Sequence, residues 1–90
     1  MSRHHKLKTW PEPFQAVVDG VKTYEIRHDD RGFAVGDTLE LEEWDPSFYE
    51  AMSVGGYTGR KIVVHVTYMT HSRFGLPPNL CVMGIKVISG

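Results

Sequence analysis

The stretch GVKTYEIR, residues 20–27, decides how the rest of the chain is interpreted. A glycine after a short apolar stripe is typical of a helix end, and the residues after it predict a strand over Lys22–Arg27. Side chains alternate between the two faces of a strand, so Thr23, Glu25 and Arg27 are expected on one face. An acid therefore lies beside a base, with a lysine where the strand leaves the turn.

Two interpretations of this charged face stay open. In the first, Lys22, Glu25 and Arg27 form a working site, in which Lys22 acts as a base or nucleophile and Glu25 orients it or accepts a proton. In the second, the same residues form a surface network of ion pairs, each contributing only about 0–1 kcal/mol. If the protein is an enzyme, Lys22 and Glu25 are the candidate catalytic residues.

Composition describes an ordinary globular protein. The chain has 90 residues, of which 41% are hydrophobic and 23% charged, and we expect a single domain over residues 1–90. A formal net charge of −1 argues against nucleic-acid binding by bulk electrostatics. It does not exclude a local basic patch on the surface. Without an apolar signal region or about 18 continuous apolar residues, we expect a cytoplasmic protein with no membrane span.

The other elements follow from periodicity. Period-two alternation predicts four more strands, at residues 4–10, 38–44, 60–70 and 80–88. The spacing of Phe14, Val17 and Val18 predicts a short helix that begins near Glu12 and ends at Gly20. Residues 45–60 have the composition of a long loop. Five strands and one early helix, without alternating βαβ units, predict an α+β fold built as a small mixed β-barrel.

Residue types with other chemical potential carry weaker signals. None of the five histidines has zinc-site spacing, so we predict no metal and no cofactor. Cys81 lies in an apolar run and is most simply a buried small hydrophobe. Trp10 and Trp44 could offer stacking surfaces worth about 1–3 kcal/mol per base. They could equally be partly buried supports of a small core, which is the favoured interpretation for Trp44.

A series of short motifs runs through nearly the whole chain, at residues 7–10, 14–20, 22–27, 30–31, 35–37, 43–44, 57–60 and 82–83. In the order of these motifs the chain resembles the ASCH domain, a branch of the PUA-like superfamily. It is most similar to a short ASCH-related family of unassigned function found in bacteria and phages. The resemblance implies a PUA-like barrel, a cleft between the barrel and the helix before the Lys22–Arg27 strand, and an association with RNA.

One ASCH branch consists of small amidohydrolases that deacylate N4-acetylcytidine with a lysine, a threonine and a distant glutamate. Lys22 matches that lysine by position. Glu25 stands where those enzymes have the threonine, and the distant glutamate has no counterpart that the sequence identifies. The resemblance therefore favours binding over catalysis.

The first hypothesis is an RNA- or nucleotide-binding module that uses a cleft around the Lys22–Arg27 strand. Basic residues would contact phosphate and Glu25 would accept from a base edge or ribose, the full expected set being Lys8, Trp10, Lys22, Thr23, Glu25, Arg27 and Arg31. The alternatives are a small amidohydrolase acting on N4-acylated cytidine or a related nucleoside, and a protein-interaction module without a ligand. We expect a monomer.

Overall fold

A computed structural model describes residues 2–50, 53–71 and 73–90 of the chain. These residues form one mixed five-stranded sheet and one helix, in the order β1 (His4–Thr9), α1 (Pro11–Val18), β2 (Tyr24–His28), β3 (Thr38–Glu50), β4 (Ser53–His71) and β5 (Leu80–Ser89). The spatial order is β1-β3-β4-β5-β2. Strand β1 runs parallel to β3, and the other neighbours are antiparallel. The predicted α+β class, with five strands and one short helix, is confirmed.

Closure of the sheet into a barrel is not confirmed. Strands β1 and β2 are the two edges of the sheet, and within the described residues no strand pairing joins them. The sheet is therefore open along one seam. No helix of the described chain has the length and apolar character needed to cross a membrane.

The first strand and the helix lie where the sequence predicts them. In β1 the inward side chains are His5, Leu7 and Thr9. Helix α1 begins at Pro11, where a missing N–H costs nothing because first-turn donors have no helical partner. Gly20 adopts a φ of 76°, the left-handed conformation that ends the helix.

The predicted start of β2 is wrong by two residues, because the strand begins at Tyr24. Lys22 and Thr23 lie in the connection that follows the helix. The backbone N–H of Lys22 donates to the Ala16 carbonyl at 3.0 Å, so the helix end still holds this part of the chain. The predicted loop at residues 45–60 is also wrong, since β3 and β4 form a long hairpin there.

Glycines and a proline explain why the hairpin resembles a loop in sequence. Its register shifts between Glu42 and Trp44 and again between Asp45 and Tyr49, so the ladder is irregular. Gly55 and Gly59 adopt φ values of 85° and 94°, which glycine tolerates in bulged strands. Residues 51 and 52 of the predicted loop lie outside the described residues.

The core lies between α1 and the inner face of the sheet. Phe14 and Val17 of α1 are both about 1% exposed. They complete a cluster with the inward residues of the strands, Leu7, Leu39, Leu41, Ile62, Val64, Val66, Cys81, Met83 and Ile85, together with Phe33. Burial raises the pKa of the Cys81 thiol, with a further contribution from the Asp29 carboxylate. The interpretation of Cys81 as a buried small hydrophobe is confirmed.

A buried carboxylate, Asp37, ties the start of β1 to the turn before β3. It accepts hydrogen bonds from His5 Nε2 at 2.9 Å, from the Arg3 N–H at 3.0 Å and from the Ala34 N–H at 3.0 Å. Burial by itself would raise the pKa of Asp37, but these hydrogen bonds outweigh burial and lower the pKa. The ionised form of Asp37 therefore stabilises the fold.

Replacing Asp37 by Asn is expected to lower the free energy of unfolding at neutral pH by about 1–3 kcal/mol, because an amide cannot accept from all three donors. The folded-state pKa lies below the ordinary value of 3.8. The stabilisation is therefore complete above that ordinary value and is lost as pH falls through the folded pKa. Denaturant titrations from neutral pH to about pH 3 should show a smaller acid loss in the variant than in the parent protein.

The matched control is Asp30→Asn, because the Asp30 side chain is 74% exposed. We expect it to change stability by no more than about 0.5 kcal/mol. An Asp37→Asn variant as stable at neutral pH as the parent would contradict this account of the cluster.

Candidate functional site

The charged face of β2 points into the molecule. Glu25 is 2% exposed and lies opposite the core residue Met83, whereas Tyr24 and Ile26 are about half exposed. The predicted alternation is confirmed for Glu25 and Arg27 but not for Thr23, which precedes the strand and is exposed. Its direction reverses the usual order of apolar inside and polar outside. A network of exposed surface ion pairs does not describe this face.

The Glu25 carboxylate is held between two cations. Arg27 Nε donates to Glu25 Oε1 at 3.0 Å, and Arg27 Nη2 lies 2.9 Å from the same oxygen. Lys22 Nζ donates to Glu25 Oε2 and also to the Tyr24 carbonyl at 2.7 Å. Both carboxylate oxygens are thus occupied, as a buried charge requires. Within the described residues, no buried side-chain nitrogen or oxygen is left without a hydrogen bond.

Arginine side chains bridge the open seam of the sheet. Arg27 Nη1 donates to the Lys8 carbonyl at 3.0 Å, and Nη2 donates to Thr9 Oγ1 at 3.1 Å. Farther along the seam, Arg31 Nη1 donates to the Lys6 carbonyl at 2.8 Å. These contacts run from β2 and the segment after it to β1. The two edges are linked by guanidinium groups where a barrel would have a strand ladder.

A cavity of about 350 Å³ lies at the end of the seam nearest α1, with the lining residues Lys8, Thr9, Trp10, Pro13, Lys22, Tyr24, Glu25, Ile26 and Arg27. Its size is at the lower end of small-molecule sites, which span about 300–1,000 Å³. Because β2 is an edge strand, residues from both of its faces reach the cavity. Three cations and one carboxylate line it, so the cavity has an excess of positive charge.

Two tryptophans lie at the rim in different roles. Trp10 is 55% exposed and lines the cavity. Its ring centroid is 6.1 Å from that of Trp44, and Lys8 Nζ lies 4.3 Å from the Trp44 centroid. A Cβ on Gly55 would lie 2.6 Å from the Trp44 ring, so that ring packs directly on the hairpin backbone. Trp44 is a half-buried support, as expected, and Trp10 is the accessible aromatic.

The structure brings together five of the seven predicted ligand residues, namely Lys8, Trp10, Lys22, Glu25 and Arg27. Thr23 does not line the cavity, and its carbonyl accepts the Ile85 N–H at 3.0 Å. Arg31 lines a neighbouring cavity of about 200 Å³. The residues that sequence reasoning missed are Thr9, Pro13, Tyr24 and Ile26. Tyr24 and Ile26 reach the cavity because β2 is an edge strand, a position that the sequence pattern does not show.

Another buried carboxylate, Glu43, lies outside the cavity. It accepts from Thr58 Oγ1 at 2.7 Å and lies 3.6 Å from Arg60 Nη1. Arg60 also donates to Gln15 Oε1 of α1, so this cluster fastens the helix to the hairpin. Among the described residues, no three His, Cys, Asp or Glu side chains are grouped so that they could hold a metal ion.

Comparison with known proteins matches residues 4–85 to the model of one family, described as a domain of unknown function, DUF3850. The match includes every residue that lines the cavity. The chain is also 36% identical over 70 residues to an "Uncharacterized 12.9 kDa protein in GpA 3'region" of Escherichia phage P2. That alignment covers 78% of this chain and 57% of the phage protein, so the chain spans little more than half of this relative.

Replacing Glu25 by Gln is expected to lower the free energy of unfolding by about 3 kcal/mol. This is the lower end of the cost of removing one partner of a buried ion pair, because Lys22 and Arg27 stay partly hydrated. Denaturant titration measures it, with Lys61→Met as the control. Lys61 Nζ lies 4.0 Å from Glu40 on an exposed side chain, so the control should cost at most about 1 kcal/mol. Equal losses in the two variants would show that the Glu25 network contributes no more than a surface pair.

Proposed function

The chain belongs to the DUF3850 family of domains of unknown function, and we propose that it binds RNA or a nucleotide in the cavity beside β2. The proposal rests on one observation: an exposed aromatic ring and two ammonium groups line the same cavity. Trp10 offers a stacking face, and Lys8 and Lys22 lie on the same lining. Aromatic faces next to basic side chains suit unpaired bases and their phosphates.

The cations divide into two kinds in this proposal. Lys8 lies at an exposed position of β1, and its ammonium group contacts the Trp44 ring. From this position the ammonium can contact a phosphate. Arg27 donates hydrogen bonds to Glu25, to Thr9 and to the Lys8 carbonyl. It therefore forms part of the cavity wall and adds a positive charge to it. Glu25 positions Lys22 and Arg27, because both of its oxygens already accept from them. A direct contact between Glu25 and the ligand is not part of the proposal.

The charge distribution supports a small footprint on the ligand. The chain as a whole has a net charge of −1, so attraction to a polyanion must come from the local excess of cations at the cavity. We therefore propose recognition of one or a few nucleotides by stacking and close phosphate contacts. Such a protein has a shallow salt dependence, since each phosphate contact to a single strand adds only about 0.7 to the slope of log K against log salt.

We further propose that the fold is PUA-like and of the ASCH type. Support comes from the order of elements, from a helix directly before the strand that carries Glu25 and Arg27, and from the cavity between Pro13 of α1 and that strand. The arginine bridges across the seam link the two sheet edges that a closed barrel would pair directly. We also propose that the protein is a cytoplasmic monomer.

A second candidate function is hydrolysis of an N4-acylated cytidine. The contact between Lys22 Nζ and the Glu25 carboxylate inside the cavity favours it, because a carboxylate can accept a proton from a lysine that acts as a base. Incubating the protein with N4-acetylcytidine and following cytidine by chromatography tests this candidate. Absence of product, or product that forms equally with Lys22→Met, would exclude it.

For binding, we expect Lys8→Gln to weaken affinity for a short single-stranded RNA and to reduce the salt slope by about 0.7, because one phosphate contact is lost. Fluorescence anisotropy with a labelled oligonucleotide across a salt series measures both quantities. Lys61→Gln is the matched control, since Lys61 is exposed and does not line the cavity. If Lys8→Gln and Lys61→Gln behave alike, Lys8 does not contact the ligand.

Trp10→Ala is expected to weaken the same affinity by about 5- to 150-fold, the equivalent of one lost stacking contact of about 1–3 kcal/mol. Fold should be retained, because the Trp10 side chain is more than half exposed and makes no capping hydrogen bond. Phe74→Ala, at a loop position that is 86% exposed, controls for the loss of an exposed aromatic. An unchanged affinity in Trp10→Ala would reject stacking at the cavity.

A further inference from the structure

The outer face of the sheet has two exposed tyrosines on either side of one glycine. Tyr24 of β2 pairs with Gly84 of β5, and Gly84 pairs in turn with Tyr68 of β4. Tyr24 is 45% exposed and Tyr68 is 69% exposed. Across these three neighbouring strands, Gly84 therefore lies between two tyrosines and has no side chain of its own.

All three residues of this row face outward. Gly84 lies between the buried residues Met83 and Ile85, and Tyr24 precedes the buried Glu25. A Cβ built on Gly84 would lie 3.1 Å from Thr67 Oγ1 and 3.7 Å from Tyr68 Cβ, so Thr67 and Tyr68 both border the empty position. We call the space that Tyr24 and Tyr68 flank, with Gly84 as its floor, the tyrosine slot.

Strand spacing leaves room for one planar ring between the two tyrosines. Adjacent strands lie about 4.8 Å apart, which separates the backbones of Tyr24 and Tyr68 by about 10 Å. Stacked aromatic pairs have centroids about 4.5–7 Å apart. Two such contacts on opposite faces of a single base therefore fit a separation of about 10 Å between the tyrosines, with the Thr67 hydroxyl beside the floor.

Basic residues flank the slot, and Tyr24 connects it to the cavity. Lys22 Nζ lies 5.0 Å from the Tyr24 ring centroid. Lys86 is exposed and follows the inward Ile85, so it faces outward two positions from Gly84. Tyr24 also lines the cavity. A ligand can therefore pass from the cavity over Tyr24 into the slot with a cation on each side.

We propose that the tyrosine slot holds a second base of the same RNA strand whose first base occupies the cavity. The inference rests on the proposed function and narrows its ligand to single-stranded RNA of two or more nucleotides. The phosphate between the two bases passes Lys22, and the next one lies within reach of Lys86. The flanking cations, Lys22 and Lys86, favour a nucleic acid over a peptide, because they suit the phosphates of an RNA strand.

The test compares a nucleoside monophosphate with a tetranucleotide RNA on the full chain by calorimetry. The tetranucleotide should bind more tightly than the monophosphate. Tyr68→Ala should weaken tetranucleotide binding by about 5- to 150-fold, the loss of one stacked base, and leave monophosphate binding unchanged. Phe74→Ala, which removes another exposed aromatic, should alter neither. Gly84→Ser should also weaken only the tetranucleotide, because its side chain would occupy the floor.

Three results would overturn the inference, and they are distinguishable. Monophosphate binding that depends on Trp10 and Lys8, with tetranucleotide binding unaffected by Tyr68→Ala, would reject the slot and leave the cavity proposal standing. No binding of either ligand would reject both. Self-association that Tyr68→Ala abolishes, without a change in tetranucleotide affinity, would make this face an interface between copies of the chain.

Discussion

The buried carboxylate of Glu25 is the group on which the arrangement of the cavity depends. An isolated charge in that position would be strongly unfavourable, so the fold has to bring cations to it. Lys22 arrives from the helix connection and Arg27 from the same strand. Arg27 then reaches across the seam to Lys8 and Thr9. One buried acid thus fixes the loop after α1, the end of β2 and the end of β1, which together form most of the cavity wall.

The open seam is what makes a cavity possible at this place. A complete ladder between β1 and β2 would bring their backbones to about 4.8 Å and leave no room for a ligand. Guanidinium groups are long and have several donors, so they link the edges at a larger separation. Arg27 and Arg31 satisfy carbonyls of β1 that would otherwise remain unpaired at a sheet edge. Structural closure and ligand access are therefore served by the same side chains.

The accessible surface around β2 combines exposed cations with aromatic rings, although the chain as a whole has a net charge of −1. The Glu25 carboxylate in the cavity lining is already paired with Lys22 and Arg27, whereas Lys8 and Lys86 stay exposed. Aromatic rings are presented on both sides of the strand, with Trp10 at the cavity and Tyr24 between the cavity and the outer face. An edge strand can do this because no neighbouring strand pairs with its free edge within the described residues. The cavity lies at an edge and not at the centre of the sheet.

The sequence by itself determined the number and class of the elements, the helix end at Gly20 and the alternation that puts Glu25 and Arg27 on one face. These features depend on local geometry, such as the φ freedom of glycine and the two-residue period of a strand. Tertiary structure decided that this charged face points inward, because only the pairing of β2 with β5 places Glu25 opposite Met83. It also decided that residues 45–50 and 53–60 pair as strands, since an antiparallel partner compensates for glycines that favour a loop locally. Which of the predicted residues meet at the cavity follows from the approach of β1 and β2. These edges are distant in the sheet, and in the described part of the chain arginine side chains link them.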